Sequence, residues 1–403
     1  MMSLVVAAAL FSGLPKFEWQ EIESGLQVGY SVKLADVNND GRLDVIVLDS
    51  RRVIWYENPT WKPHIVLEGQ TPPDNVCMAP LDVNGDGKLD LAIGAGWQVS
   101  QSYTHNLFWL EQTELDRPWK LHQIGTSPNV HRMQWMDVAG DARPELVVVP
   151  LTGVGKDGPA RQANPVQIMA FEIPNEPATG RWREHVLSKE LHVAHNFMFR
   201  KAPDLLAGSK KIIVDRETMV GREMIVASFE GLTLFEVDRK NEPWPSIHMV
   251  PGDQQSRPNK GCSEVAEGKR KSGVRMFATI EPWHGNQVVV YSPTNDAKIW
   301  KRTLIDKDLQ WGHAIAWADL DGDGNDELIV GVRDDKTPEH RRGVRIYSLR
   351  DDNGTFEAAD RLDPGGVAVE DLVVADLNGD GRPDIVASGR QTHNVRIYWN
   401  QGK

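Results

Sequence analysis

Asp36-Val-Asn-Asn-Asp-Gly-Arg-Leu-Asp44-Val-Ile-Val47 is an acidic loop that runs straight into a β-branched apolar run. The pattern returns from Asp82 to Asp90, from Asp319 to Glu327 and from Asp376 to Asp384, each time followed by an apolar run. A worn copy spans Asp137 to Glu145, with Ala139 and Ala142 in place of a polar residue and the turn glycine. Apolar runs of four to six residues bounded by Gly, Asp and Pro read as strands. Further runs follow each copy, at Arg52–Tyr56, Asn106–Leu110, Val166–Phe171, Gly343–Tyr347 and Val395–Trp399. Three or four strands per unit, repeated at blade-like intervals, predict an all-β propeller.

Two more units keep the strand rhythm without the acidic loop. One runs from His195 through Glu223–Ser228 and Leu232–Val237 to Ile247–Val250, the other from Ser263 through Arg275–Ile280 and Gln287–Tyr291 to Ile299–Leu304. The units begin near residues 28, 75, 130, 192, 262, 312 and 367, which makes seven. The last has only three strands. Phe17–Glu23 precedes the first unit and is predicted to supply the missing outer strand of the last, removing an open sheet edge. Residues 17–403 thus read as a single seven-bladed propeller domain.

The acidic loops have the chemistry of a hard-cation site. Oxygen side chains stand at positions one, three, five and nine: Asp36, Asn38, Asp40, Asp44; Asp82, Asn84, Asp86, Asp90; Asp319, Asp321, Asp323, Glu327; and Asp376, Asn378, Asp380, Asp384. Gly41, Gly87, Gly324 and Gly381 follow the fifth position, where the chain must turn sharply. The loops are read as structural Ca²⁺ sites; the alternative is a solvated Asx-rich turn. The flanking elements are strands, which excludes an EF-hand.

Six residues before the first Asp of each loop lie Tyr30, Val76, His131, His313 and Glu370. In the fourth unit His195 opens the equivalent strand, and in the fifth the nearest residue is Glu264. His284 lies in a loop between a second and a third strand, which returns to the same face. Repeat phase therefore predicts that His131, His195, His284 and His313 converge at one mouth of the propeller. Neutral imidazoles suit Zn²⁺ or a similar transition metal, or acid/base work. Glu370 and Tyr30 are further acid/base candidates. Arg132, Arg333 and Arg390 read as contacts to sugar hydroxyls or a developing oxyanion, or else as surface ion pairs. Trp283 and Tyr103, with Trp97 and Trp311, read as sugar-stacking or packing residues. His105, His192 and His393 are weaker candidates.

Composition narrows the classes. A formal charge of -12 leaves no basic excess for nucleic acid. Cys77 and Cys262, with no CxxC spacing, read as buried free thiols, a disulfide being the alternative. The apolar run Leu4–Phe11 lacks a preceding Lys or Arg; residues 1–16 are read as an export signal or a disordered N-terminus, the former placing the protein in the periplasm or outside the cell. No later stretch is long enough to span a membrane. There is no G-x-S-x-G, H-E-x-x-H, Walker or dinucleotide motif.

The loop pattern between strands resembles the FG-GAP/VCBS repeats of integrin-like propellers, a likeness specific for fold and silent on function. Asn129-Val-His131-Arg-Met-Gln-Trp135, Leu191-His-Val-Ala-His195-Asn-Phe197, Glu281-Pro-Trp-His284-Gly-Asn-Gln287 and Trp311-Gly-His313-Ala-Ile-Ala-Trp317 are similar to the propeller domain of aldos-2-ulose dehydratase and its bacterial relatives. That resemblance implies a metal framed by the four histidines and a carbon–oxygen lyase acting on keto-sugars such as 1,5-anhydrofructose or 3-keto-glycosides. The rival reading is a non-catalytic propeller that binds carbohydrate or protein and carries structural calcium.

Overall fold

The computed structural model describes residues 13–97, 106–155, 162–201, 221–237, 242–296, 299–333, 341–349 and 355–403. The run Leu4–Phe11 and Tyr103 and His105 lie outside these. The chain is a seven-bladed β-propeller of four-stranded antiparallel sheets, six of them in sequential order. The first strands of the blades are Ser31–Ala35, Cys77–Leu81, Val130–Met136, Asn196–Lys201, Val265–Lys269, Gly312–Ala318 and Val369–Ala375. Phe17–Glu23 pairs with Val395–Asn400, from Phe17 opposite Asn400 to Glu23 opposite Val395, and so completes the seventh blade and closes the ring.

The acidic loop organises its blade through backbone hydrogen bonds. Asp36 accepts the amides of Asp40 and Gly41, at 3.0 and 2.8 Å, which closes the turn. The ninth residue, Asp44, accepts Val37 N at the loop's start and Asn58 N beyond the third strand, at 3.0 and 2.8 Å. Asp90 repeats this with Val83 and Gln112, and Asp384 with Leu377 and Asn400. One buried carboxylate thus satisfies amides from two turns that would otherwise be orphaned. Gly41 has a φ of 87°, a region that glycine enters without strain. The worn copy makes the same bonds from Asp137, and its Ala142 is forced to a φ of 65°.

By Cα proximity the chain forms two compact units, one of residues 33–251 and one comprising the residues up to Val32 with Gly252–Lys403. In the first, polar side chains tie neighbouring blades: Gln112 donates to Val37 O, Trp135 Nε1 to Ala79 O and Gln134 to Phe197 O, each at 3.0 Å. In the second, Asn400 repeats the role of Gln112 by donating to Leu320 O at 2.8 Å. Met276, Ala278, Ile280, Val288 and Val290 of blade five pack with Leu328, Val330 and Val332 of blade six. Ile329, Val344 and Ile346 on the other face of blade six meet Val367, Val369, Ile385 and Ala387 of blade seven. Each such Val or Ile contributes about 1.5–3 kcal/mol by leaving water, so the β-branched alternation that makes the strands also welds the blades. Cys77 and Cys262 are buried and free. Among the described residues no helix is long and apolar enough to cross a membrane.

Candidate functional site

Three of the phase-matched residues share a backbone device. Val130 pairs with Pro150 and Arg132 with Val149, so His131 is an extra residue. The same irregularity falls between Gly312 and Ala314, at His313, and between Val369 and Asp371, at Glu370. A β-bulge at a strand's start re-aims the side chain it carries. Two residues upstream of the histidines the chain takes left-handed conformations, with φ of 56° at Asn129, 48° at Val193 and 61° at Trp311. His131, His195 and His313 are all buried.

His131 Nδ1 lies 2.9 Å from the carbonyl oxygen of His195. A carbonyl only accepts, so Nδ1 carries the proton and Nε2 keeps its lone pair. That lone pair meets Arg132 Nη1 at 3.3 Å. The rings of His131 and His195 sit 4.5 Å apart, and Trp97 approaches His131 at 5.3 Å.

His284 stands on the turn from Glu281 to Gln287 with a φ of 51°. Gly285 lies so close that a β-carbon there would meet Glu281 O at 2.3 Å. The turn is bracketed on both sides: Trp283 N donates to Lys260 O, Asn259 Nδ2 donates to Trp283 O, and Gly312 N donates to Gly285 O, at 3.1–3.3 Å. Beneath it Glu281, fully buried, accepts the hydroxyls of Thr279 and Tyr291 and two nitrogens of Arg302. Trp283 stacks on His284 at 4.0 Å, and His284 lies 4.8 Å from His313.

His313 Nδ1 donates to Glu370 O at 2.6 Å, which again leaves Nε2 as the lone-pair nitrogen. The Glu370 carboxylate takes Arg333 Nη1 on one oxygen and Arg390 Nη1 on the other, at 2.8 and 2.7 Å. Arg390 lies over the ring of the buried Tyr30 at 4.8 Å, and Arg333 over Trp311 at 5.2 Å. Sequence reasoning reads the arginines as loop cations or surface ion pairs; in the fold Arg333 is buried and its ion pair is internal.

Among the described residues, histidine and carboxylate side chains are each gathered where they could hold a metal ion. In residues 252–403 the rings of His284 and His313 are 4.8 Å apart, and in residues 33–251 those of His131 and His195 are 4.5 Å apart; Asp319, Asp321 and Glu327 of the sixth blade offer carboxylate oxygens within 4.8 Å of one another. His131 has one nitrogen at a backbone carbonyl and the other at Arg132. Imidazole nitrogens with a lone pair to give fit a borderline divalent ion. The acidic group fits a hard cation. Within the loops burial pushes the ninth-position carboxyls up, aided by their acidic neighbours: Asp44 and Asp384 to about 6, Asp90 to about 7 and Glu327 to about 8.

The remaining described histidines have framework partners. His64 and His122 stack on Trp55 and Trp109 and meet Glu57 and Glu111. His185 meets Glu172, His248 meets Thr233, His192 meets Glu230, and His393 donates to Gln27 O. What sequence reasoning missed are the three bulges and the buried Arg333–Glu370–Arg390 arrangement; the pre-strand residues with left-handed backbone, Asn129 among them, were the available signal.

The fold defines a β-propeller, and residues 36–93, spanning the first two loops, match the FG-GAP-like repeat family. Residues 105–294, which include His131, His195 and His284, match the family described as aldos-2-ulose dehydratase, β-propeller domain. The chain is a seven-bladed propeller similar to these two families over those stretches. It is 24% identical over 345 residues to aldos-2-ulose dehydratase of Phanerodontia chrysosporium, a match covering 80% of this chain and 36% of that protein. The chain therefore spans about a third of the length of the curated relative it matches. Among solved structures, the Myceliophteria thermophila Cps50 (Swd1) β-propeller domain superposes with a TM-score of 0.54 at 10% identity, covering 95% of this chain and 99% of that one. A putative 6-phosphogluconolactonase from Bacteroides fragilis gives 0.54 at 13% identity, with coverage of 90% and 92%. These likenesses concern the fold alone.

Proposed function

We propose that the chain is a metal-dependent carbon–oxygen lyase that eliminates water or an alcohol from a keto-sugar, such as 1,5-anhydrofructose or a 3-keto-glycoside. The observation that carries this reading is the pair of His284 and His313, whose rings lie 4.8 Å apart with Trp283 stacked on His284, and the similarity to a dehydratase supports it; His195 is assigned as the third ligand. A divalent transition metal held there would supply a Lewis acid for the carbonyl beside the acidic C–H. His131, held as the Nδ1–H tautomer by His195 O, offers Nε2 as the base for that proton. Arg132, 3.3 Å from that nitrogen, stands where it can contact the substrate's oxygens. Glu370 holds Arg333 and Arg390 in place, and the Tyr30 phenol under Arg390 is the candidate proton donor to the leaving oxygen. Trp283 fixes the plane of His284 by stacking and presents its outer face to the sugar. The same proposal assigns Ca²⁺ to the four acidic loops as a structural ion.

The test is metal content by mass spectrometry together with turnover of both sugars, followed by ultraviolet absorbance of the enone. His284→Ala is expected to lose the transition metal and turnover while keeping calcium and melting temperature. Full turnover in that variant would overturn the site. Calcium alone in the parent protein, with neither sugar consumed, would favour the carbohydrate- or protein-binding propeller instead.

A further inference from the structure

Beside His313 the charges do not balance. Glu370 is 5% exposed and Arg333 7%, and each oxygen of the single carboxylate is taken by a different guanidinium. Arg390 is partly exposed, its side chain at 27%. Arg333 Nε is buried and has no hydrogen-bond partner among the described residues. The cluster therefore carries one net positive charge in a largely desolvated place, and a buried charge without a counterion is costly. The neighbouring imidazoles are neutral donors, so a divalent cation on them would enlarge the excess. With the buried Glu264 at the head of blade five ionised as well, that cation would still leave the balance positive. A neutral sugar leaves this field uncompensated. A carboxylate would meet it with two acceptor oxygens, the geometry guanidinium groups are built to bind.

We propose that Arg333 and Arg390, spread around Glu370, form an anion subsite, and that the sugar taken by this chain carries a carboxylate, as a keto-uronide or keto-aldonate does. The proposal rests on the lyase reading of the adjacent histidines and narrows its substrate class. Glu370 holds the two guanidiniums apart and half-neutralised, so that the subsite is stable when empty yet still cationic. Tyr30 and Trp311 hold the planes of the guanidiniums from behind, which lowers the entropy lost when an anion is bound.

The experiment is calorimetric titration of the full-length, metal-loaded protein with D-glucuronate and with D-glucose, which differ at the carboxylate. Glucuronate is expected to bind on the order of tenfold tighter, the scale of one well-placed charged contact. Arg390→Gln, a change at the more exposed arginine, is expected to bring the two sugars to within about twofold, with metal content by mass spectrometry unchanged. Arg333→Gln should do the same if it folds, and Arg390→Gln decides the matter if it does not. Equal affinity for the two sugars, or no binding of glucuronate, overturns the subsite, and turnover of a neutral keto-sugar by the same preparation would then leave the lyase reading standing with the arginines serving the developing enolate oxygen. Glucuronate preference without turnover of any keto-sugar would uphold the subsite and count against the lyase.

Discussion

Asp90 makes the acidic loops testable without knowledge of a substrate. Its carboxylate is fully buried, accepts Val83 N and Gln112 N at 3.0 and 2.9 Å, and has Asp82 and Asp86 nearby. Burial, and after it these two charges, lift its pKa from 3.8 to about 7 despite the two amide bonds. The folded state thus holds the proton more tightly than the unfolded chain does. Its contribution to stability is greatest below about pH 4, is lost as pH rises through about 7, and is flat above that. The whole swing is about 4 kcal/mol, and about 3 kcal/mol of it falls between about pH 5 and about pH 8. Unfolding entropy of about 2.1 cal/mol/K per residue over a chain of this length makes that about 3 °C in melting temperature. The assay is thermal unfolding at the two pH values, in chelator and with excess calcium, for the parent and for Asp90→Asn. In chelator the parent should melt lower at about pH 8, by at least this amount because Asp44, Asp384 and Glu327 are raised in the same sense. The variant should lack about 3 °C of that fall. Calcium should remove the fall in the parent, since an ion at a hundred times its Kd adds about 2.7 kcal/mol. A parent whose melting is indifferent to calcium, with the same pH response as the variant, would refute the reasoning.

Two further outcomes bear on the histidine site. His131→Gln, which removes the proposed base and none of the rings proposed to ligate, should lower kcat on a keto-sugar at least a hundredfold while leaving the metal content intact; loss of the metal would instead make His131 a ligand. Gly285→Ala places a β-carbon 2.3 Å from Glu281 O and must displace the His284 turn, so transition-metal affinity should fall on the order of tenfold or more in a protein that still melts cooperatively, as read by metal titration; unchanged affinity would show that the turn yields without moving the ring.

The architecture was legible because its determinants are local. A loop with oxygen side chains at positions one and nine closes on its own amides, as Asp36 and Asp44 do, and each copy marks a blade in the chain itself. The closing role of Phe17–Glu23 follows from counting strands, since a three-stranded seventh unit leaves one edge to fill. Repeat phase also singled out His131, His195, His313 and Glu370, because a position fixed relative to the loop is fixed relative to the strand. It carried no information on how each side chain would be used. Tertiary structure decided that: bulges made His131, His313 and Glu370 supernumerary residues of their strands, a carbonyl and Arg132 took up the two nitrogens of His131, and Glu370 became the buried anchor of two arginines. Bulges depend on the register of two strands, and burial depends on neighbouring blades. Both arise from contacts between residues far apart in the chain, which no local pattern of side chains encodes.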